Sequence, residues 1–169
     1  MNSTRIPTDL KSKAWEFVSN NNMGQRHDFN GTKEQQYAGL IGENMVRKAL
    51  GFEYSFESGY DGGYDIMYDG TRIDVKTMTR SVDPKPHYVN NFVGYQKNLP
   101  CDMLVFCSIN KKTGILWVCG FTTKSRLLKE ADFFEAGSIR TRDDGTTMKV
   151  EAPLYEISNE KLFPLVLFP

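Results

Sequence analysis

Four residues in this chain have the types and order that could do chemistry together: Glu43, Asp65, Asp74 and Lys76. Asp69-Gly70 lies between two strand-like runs, 64–68 and 71–77, and is the strongest short signal for a two-residue hairpin. Such a turn pairs Tyr68 with Thr71, Met67 with Arg72, Ile66 with Ile73, and Asp65 with Asp74. Opposed residues share a face, with Cβ atoms about 4.5–5.5 Å apart. Lys76, two residues past Asp74, stands on the same face, while Ile66, Ile73 and Val75 turn to the other and read as core.

Two carboxylates facing each other across a sheet repel. A fold that keeps them there has a divalent cation between them or raises one pKa. Oxygen ligands with a lysine alongside suit magnesium-assisted phosphodiester hydrolysis. The cation polarises a phosphate oxygen and acidifies a bound water. The lysine orients that water or steadies the charge growing on the phosphate. Glu43 would add a further ligand or a contact behind the ligands.

These side chains need elements to hold them. Thr32 with Gln35 is a capping-box pattern and Gly51 a helix-ending glycine, which predicts a helix over 33–50. Its apolar arc carries Ala38, Ile41, Met45 and Val46, and Gly39 and Gly42 in that arc suggest close approach to a sheet. Glu43 falls at the edge of the arc, where it can reach around the buried face. Before it, a short helix is expected over 8–19. After it come three expected strands (52–57, 64–68 and 71–77), a long loop with Pro84 and Pro86, and a short helix over 89–98. Strands over 102–109 and 115–121 follow, then a helix over 122–134 capped by Thr122 or Thr123. The tail carries a hairpin around Asp143-Asp144-Gly145, a strand over 154–157 and a turn capped by Ser158. This is a single mixed α/β domain, with residues 1–31 as an N-terminal extension, 32–130 as the core and 131–169 as peripheral elements.

Composition narrows the field. The 169 residues hold 21 Lys plus Arg against 21 Asp plus Glu, with 40% apolar and 25% charged residues. That is the make-up of a soluble globular domain and gives no global attraction to nucleic acid. No apolar run approaches the length of a membrane span, and no secretory signal is read at Met1. Three cysteines without C-x-x-C spacing imply a reducing, cytoplasmic setting, and two isolated histidines do not make a zinc site. Any metal here takes oxygen ligands. No G-x-S-x-G, P-loop or G-x-G-x-x-G is present.

The run Gly42-Glu43, then Gly63-Tyr64-Asp65-Ile66, then Ile73-Asp74-Val75-Lys76 resembles the PD-(D/E)XK nuclease superfamily, with Tyr64 where the name has proline. The element order is similar to that family's αβββαβ core, a restriction-endonuclease-like mixed central sheet flanked by helices. The later part of the chain looks similar to small phage-encoded members, whose setting would be the host cytoplasm. The resemblance implies that Asp65, Asp74 and the Val75 carbonyl bind magnesium, with manganese as substitute. Lys76 would act on the water, and Glu43 would be the helix acid. It implies a DNA substrate and an endonuclease, with a homodimer as the means of cutting two strands. A catalytically inactive nucleic-acid-binding or interaction protein on the same scaffold is the alternative.

Expected substrate contacts are Arg72, Arg80, Lys85, His87 and Tyr88 around the long loop, and Gln96 from the short helix. Tyr88, Phe92 and Tyr95 have the types to stack on bases, and equally the types to be core. Lys111-Lys112, Lys124, Arg126, Lys129, Arg140 and Arg142 form further basic clusters.

Overall fold

The computed structural model describes residues 1–21, 31–57, 62–142 and 145–168. It is a mixed α/β fold around a five-stranded sheet. The elements run β1 (Asn2–Arg5), α1 (Thr8–Asn20), α2 (Lys33–Ala49), β2 (Ile66–Tyr68), β3 (Thr71–Arg80), β4 (Val89–Val93), a 3-10 turn (Gly94–Asn98), β5 (Met103–Asn110), β6 (Ile115–Thr123) and α3 (Lys124–Glu130). Short strands β7 (Asp132–Phe134), β8 (Ile139–Thr141), β9 (Thr147–Lys149) and β10 (Leu154–Ser158) follow, then a 3-10 turn at Asn159–Lys161. No helix among the described residues is long and apolar enough to cross a membrane.

The central sheet has the order β1-β6-β5-β3-β2, with β3 and β5 parallel and the other neighbours antiparallel. A parallel pair needs a crossover, and residues 81–102 supply it. Strand β4 in that crossover joins β10 and β7 in a three-stranded sheet of its own. Alternation along the central strands sorts side chains to two faces. Ile73, Val75, Val105 and Cys107 pack with Leu10, Ala14 and Val18 of α1 and Ile41 and Met45 of α2. Leu104 and Phe106 pack the other way, with Phe92, Leu127 and Ile157 beneath the second sheet and α3. Residues expected as an N-terminal extension therefore provide an edge strand and a core helix. Asn2-Ser3-Thr4-Arg5 has no apolar alternation to announce a strand, because none of its residues is fully buried and its place at the sheet edge comes from backbone pairing with β6.

Helix α2 begins where expected: Thr32 Oγ1 accepts from the Gln35 N–H (3.3 Å), and the Gln35 side chain accepts from the Thr32 N–H (2.9 Å). Gly42 is the close approach. A Cβ there would lie 1.8 Å from Thr77 Oγ1 on β3, whereas a Cβ on Gly39 would meet nothing within 4 Å. The hairpin also forms as expected. Asp69 (φ 45°) and Gly70 (φ 76°) make a turn with both central residues left-handed, and Ile66 pairs Ile73, Met67 pairs Arg72 and Tyr68 pairs Thr71.

Three expected elements are different. Residues 52–57 form a strap, not a strand. The side chain of buried Asn44 donates to the Ser55 carbonyl (2.9 Å) and accepts from its N–H (2.7 Å), taking the place of a neighbouring strand. The αβββαβ order thus loses its first strand. The expected helix over 89–98 is β4 plus a 3-10 turn, so the αβββαβ order lacks its second helix as well. Asn90 and Phe92 are buried with period two, and Gly94 is pressed so closely on Pro153 that a Cβ would sit 2.7 Å from Pro153 Cβ. Helix α3 stops at Glu130 because Phe133 leaves it to pair with Tyr155, ring centroids 4.7 Å apart. Thr123 is its cap, accepting from the Arg126 N–H (3.3 Å). In the tail hairpin, β8 pairs β9; Asp143 and Asp144 lie outside the described residues. Ser158 precedes the last turn without a side-chain cap bond.

Candidate active site at the start of the central hairpin

The register of β2 on β3 brings Asp65 to the edge of β3 beside Asp74, but Asp65 itself stands outside the ladder, which starts at Ile66. Its N–H donates to the Ile73 carbonyl (2.9 Å), and its Oδ2 accepts from the Val75 N–H (2.6 Å). The carboxylate thus stands in for a missing strand partner. Arg72 and Arg80 turn their carbonyls towards β5, where the N–H groups of Asp102 and Lys111 meet them (both 2.9 Å). By alternation Val75 turns both its N–H and its carbonyl to the opposite edge, the side on which Asp65 lies.

Asp74 and Lys76 share the second face of the sheet with Leu104 and Phe106, their register partners. Lys76 Nζ lies 2.6 Å from Asp74 Oδ1, and the Asp74 side chain is only 9% exposed. Burial raises the Asp65 carboxyl well above the ordinary carboxylate range. The Asp74 charge pushes it further up, and Glu43 adds to the rise, while Lys76 and the Val75 N–H pull down. The expected cross-strand pairing of Asp65 with Asp74 is absent from the ladder; Asp65 instead reaches the β3 edge through the Val75 N–H, close enough for the Asp74 charge to act on it.

Glu43 projects from α2 towards the same edge. Its Oε1 lies 3.9 Å from Nη1 of Arg47, one helical turn on, and that nitrogen donates to the Asp65 carbonyl (3.2 Å). Cys101 closes the other side. Its thiol is buried next to Asp74 and pushed up to about 11, mainly by burial and then by the Asp74 charge. Arg47 and Cys101 carry no motif in the sequence. Arg47 had one signal, the i, i+4 spacing from Glu43; Cys101 reaches Asp74 only through the crossover.

The remaining expected contacts divide by position. Arg72 is held by Asp102: its Nε donates to Oδ2 (2.8 Å) and its Nη2 to Oδ1 (2.7 Å), tying the start of β3 to the start of β5. Arg80 and Tyr88 hold each other at the far end of β3. The Arg80 guanidinium carbon stands 4.9 Å from the Tyr88 ring centroid, and its Nη2 donates to the Val89 carbonyl (2.6 Å). Arg80 lies six residues past Asp74, roughly 20 Å along the strand, and Tyr88 stands there with it. Lys85 and His87 are exposed on the loop before β4, His87 edge-on to Tyr88. Gln96 sits in the 3-10 turn of the crossover, where its carbonyl accepts from the Leu99 N–H (3.0 Å). Phe92 is core, not a stacking platform, whereas Tyr95 is 58% exposed. Among the further basic residues, Arg126 pairs with Glu130 (2.9 Å), Arg140 with buried Glu156 (2.5 Å), and Lys124 donates to the Leu99 carbonyl.

Among the described residues, no three His, Cys, Asp or Glu side chains stand together as an ion cage. What the edge offers is two carboxylates and a backbone carbonyl, all hard oxygen donors, and the Asp74 and Glu43 charges that add to the effect of burial on Asp65 are of the kind a divalent cation offsets. The donor set fits magnesium or manganese, with Glu43 behind it through Arg47. No family model, no curated protein and no solved structure matches this chain.

Proposed function

We propose that this protein is a magnesium-dependent nuclease that hydrolyses DNA phosphodiester bonds, an endonuclease on a PD-(D/E)XK-like scaffold. The observation that carries the reading is the Asp65–Asp74 pair. Two acids are held at one sheet edge, one of them with a strongly raised pKa, and a lysine touches the other. Asp65, Asp74 and the Val75 carbonyl would hold the cation. When bound, magnesium supplies charge on a phosphate oxygen and acidifies a water. Lys76, released from Asp74, orients that water or offsets charge on the phosphate, and Glu43 supports the pair from α2. Manganese would substitute, and a homodimer would bring two such sites to opposite strands.

The test is incubation with linear, circular, single-stranded and branched DNA, with magnesium or a chelator. Asp74→Asn and Lys76→Ala are expected to lower cleavage by at least about 10²-fold, the scale of losing a group that stabilises developing charge. Unchanged cleavage by Asp74→Asn would refute the assignment. A second reading, a non-catalytic nucleic-acid-binding protein, is favoured by one observation: among the described residues no third acidic side chain completes the pair. Magnesium-independent DNA binding without products would select it.

A further inference from the structure

Arg47 touches three separate parts of the chain with one guanidinium. Its Nη1 donates to the Asp65 carbonyl (3.2 Å) and lies 3.9 Å from Glu43 Oε1 on α2. Its Nε donates to the Glu53 carbonyl (3.4 Å), and its guanidinium carbon stands 5.7 Å from the Phe52 ring centroid, both on the strap. A planar fork with five donors in fixed directions spans acceptors set well apart, a geometry that a compact ammonium with three donors on one atom does not offer. Asp65 needs such an anchor. It has no ladder position, so the placing of its carboxylate follows from where its own peptide is held.

We propose that Arg47 is a positioning residue, pinning the Asp65 peptide to α2 and so keeping the Asp65 carboxylate in line with Asp74 and the Val75 carbonyl. The clamp stands on geometry alone; its consequence for catalysis rests on the nuclease reading above.

The test uses the full chain with Arg47→Gln, Arg47→Lys and, as a comparison, Lys48→Gln. Lys48 bonds the same strap, at Glu53 (3.3 Å) and over the Tyr54 ring (5.8 Å), but not Asp65. Three quantities are read: hydrogen exchange at the Val75 amide, which Asp65 Oδ2 holds, Mn²⁺ binding by titration with the metal alone, and the Mn²⁺ dependence of DNA cleavage. Arg47→Gln is expected to speed Val75 exchange, to weaken Mn²⁺ binding by about 10-fold, and to shift the Mn²⁺ dependence of cleavage by the same factor. Arg47→Lys, able to keep one contact, falls between; if Arg47→Gln does not fold, Arg47→Lys must move all three readouts in the same direction. Lys48→Gln moves none of them. Unchanged Val75 exchange in the Arg47 variants, or equal changes in Lys48→Gln, overturns the proposal. Faster Val75 exchange in a protein whose wild type neither binds Mn²⁺ nor cuts DNA removes the nuclease reading and leaves the clamp standing.

Discussion

Replacing Gly42 by alanine tests how closely α2 must approach the strand that carries Asp74 and Lys76. At an unconstrained helix position the change stabilises by about 1 kcal/mol, because alanine has the better helix propensity. At Gly42 the added Cβ would lie 1.8 Å from Thr77 Oγ1, 3.0 Å from Thr77 Cβ and 3.2 Å from Thr77 Cγ2. Rotating Thr77 moves the hydroxyl away but leaves its Cβ in tight contact, so the helix must lift from β3. Overpacking of this kind costs about 1–3 kcal/mol. The expected net effect is destabilisation by about 0–2 kcal/mol. Gly39→Ala, whose Cβ meets nothing within 4 Å, should stabilise by up to about 1 kcal/mol. The opposite signs at two glycines of one helix are the signature. Urea unfolding with an unchanged m-value measures both. Thr77→Ala removes two of the three close atoms, and the Thr77 hydroxyl is buried without a partner, so the change forfeits no hydrogen bond. In the double variant the two substitutions should couple favourably by about 1–2 kcal/mol. Cleavage should fall in Gly42→Ala beyond any loss of folded protein, because Glu43 and Arg47 move with the helix. Stabilisation of Gly42→Ala equal to that of Gly39→Ala would show that the contact with Thr77 does not limit the packing.

Other parts of the structure make separate predictions. The Asp65 carboxyl has its pKa raised by folding, so from about pH 4 upward the folded state keeps a proton that the unfolded chain loses. Stability should therefore fall as pH rises through that window. Asp65→Asn, which retains an acceptor for Val75, should flatten that slope in urea midpoints measured across pH, and an unaltered slope would contradict the account. Asn44→Ala should destabilise by about 2 kcal/mol, since it removes both side-chain bonds to the half-buried Ser55 backbone; protease sensitivity of the 52–57 strap should rise with it. The three cysteines are buried, with the Cys101 and Cys119 thiols both pushed up to about 11 by burial. Native protein at pH 8 should resist thiolate-directed alkylation at all three, and unfolding should expose them; rapid labelling of Cys101 in the native state would show that the crossover does not cover Asp74.

The hairpin shows why the core of the site could be read from the residues alone. A two-residue turn leaves one register, and a period of two then dictates which side chains share a face. Asp74 and Lys76 follow from those local rules, as do Ile66, Ile73 and Val75 in the core, whereas Asp65 falls just outside the ladder and is placed by the Val75 N–H and Arg47. Helix α2 was equally legible, since its cap and apolar arc lie within the segment itself. The strap, the crossover and the end of α3 were misread for a common reason. Their aromatics and close contacts pack on partners far away in sequence: Phe56 of the 52–57 strap on Phe17, Gly94 on Pro153 and Phe133 on Tyr155.

What the sequence determined by itself is therefore a helix, a hairpin and the sharing of one sheet face by Asp74 and Lys76, all set by backbone periodicity and one Asp-Gly turn. The tertiary structure decided which groups surround them. It turned Arg72 to Asp102 and Arg80 to Tyr88, brought Arg47 onto the Asp65 peptide and placed the Cys101 thiol beside Asp74. Charge and hydrogen bonding act over a few ångströms in space, without regard to distance along the chain, so partners of this kind appear only once β3, β5 and α2 have packed.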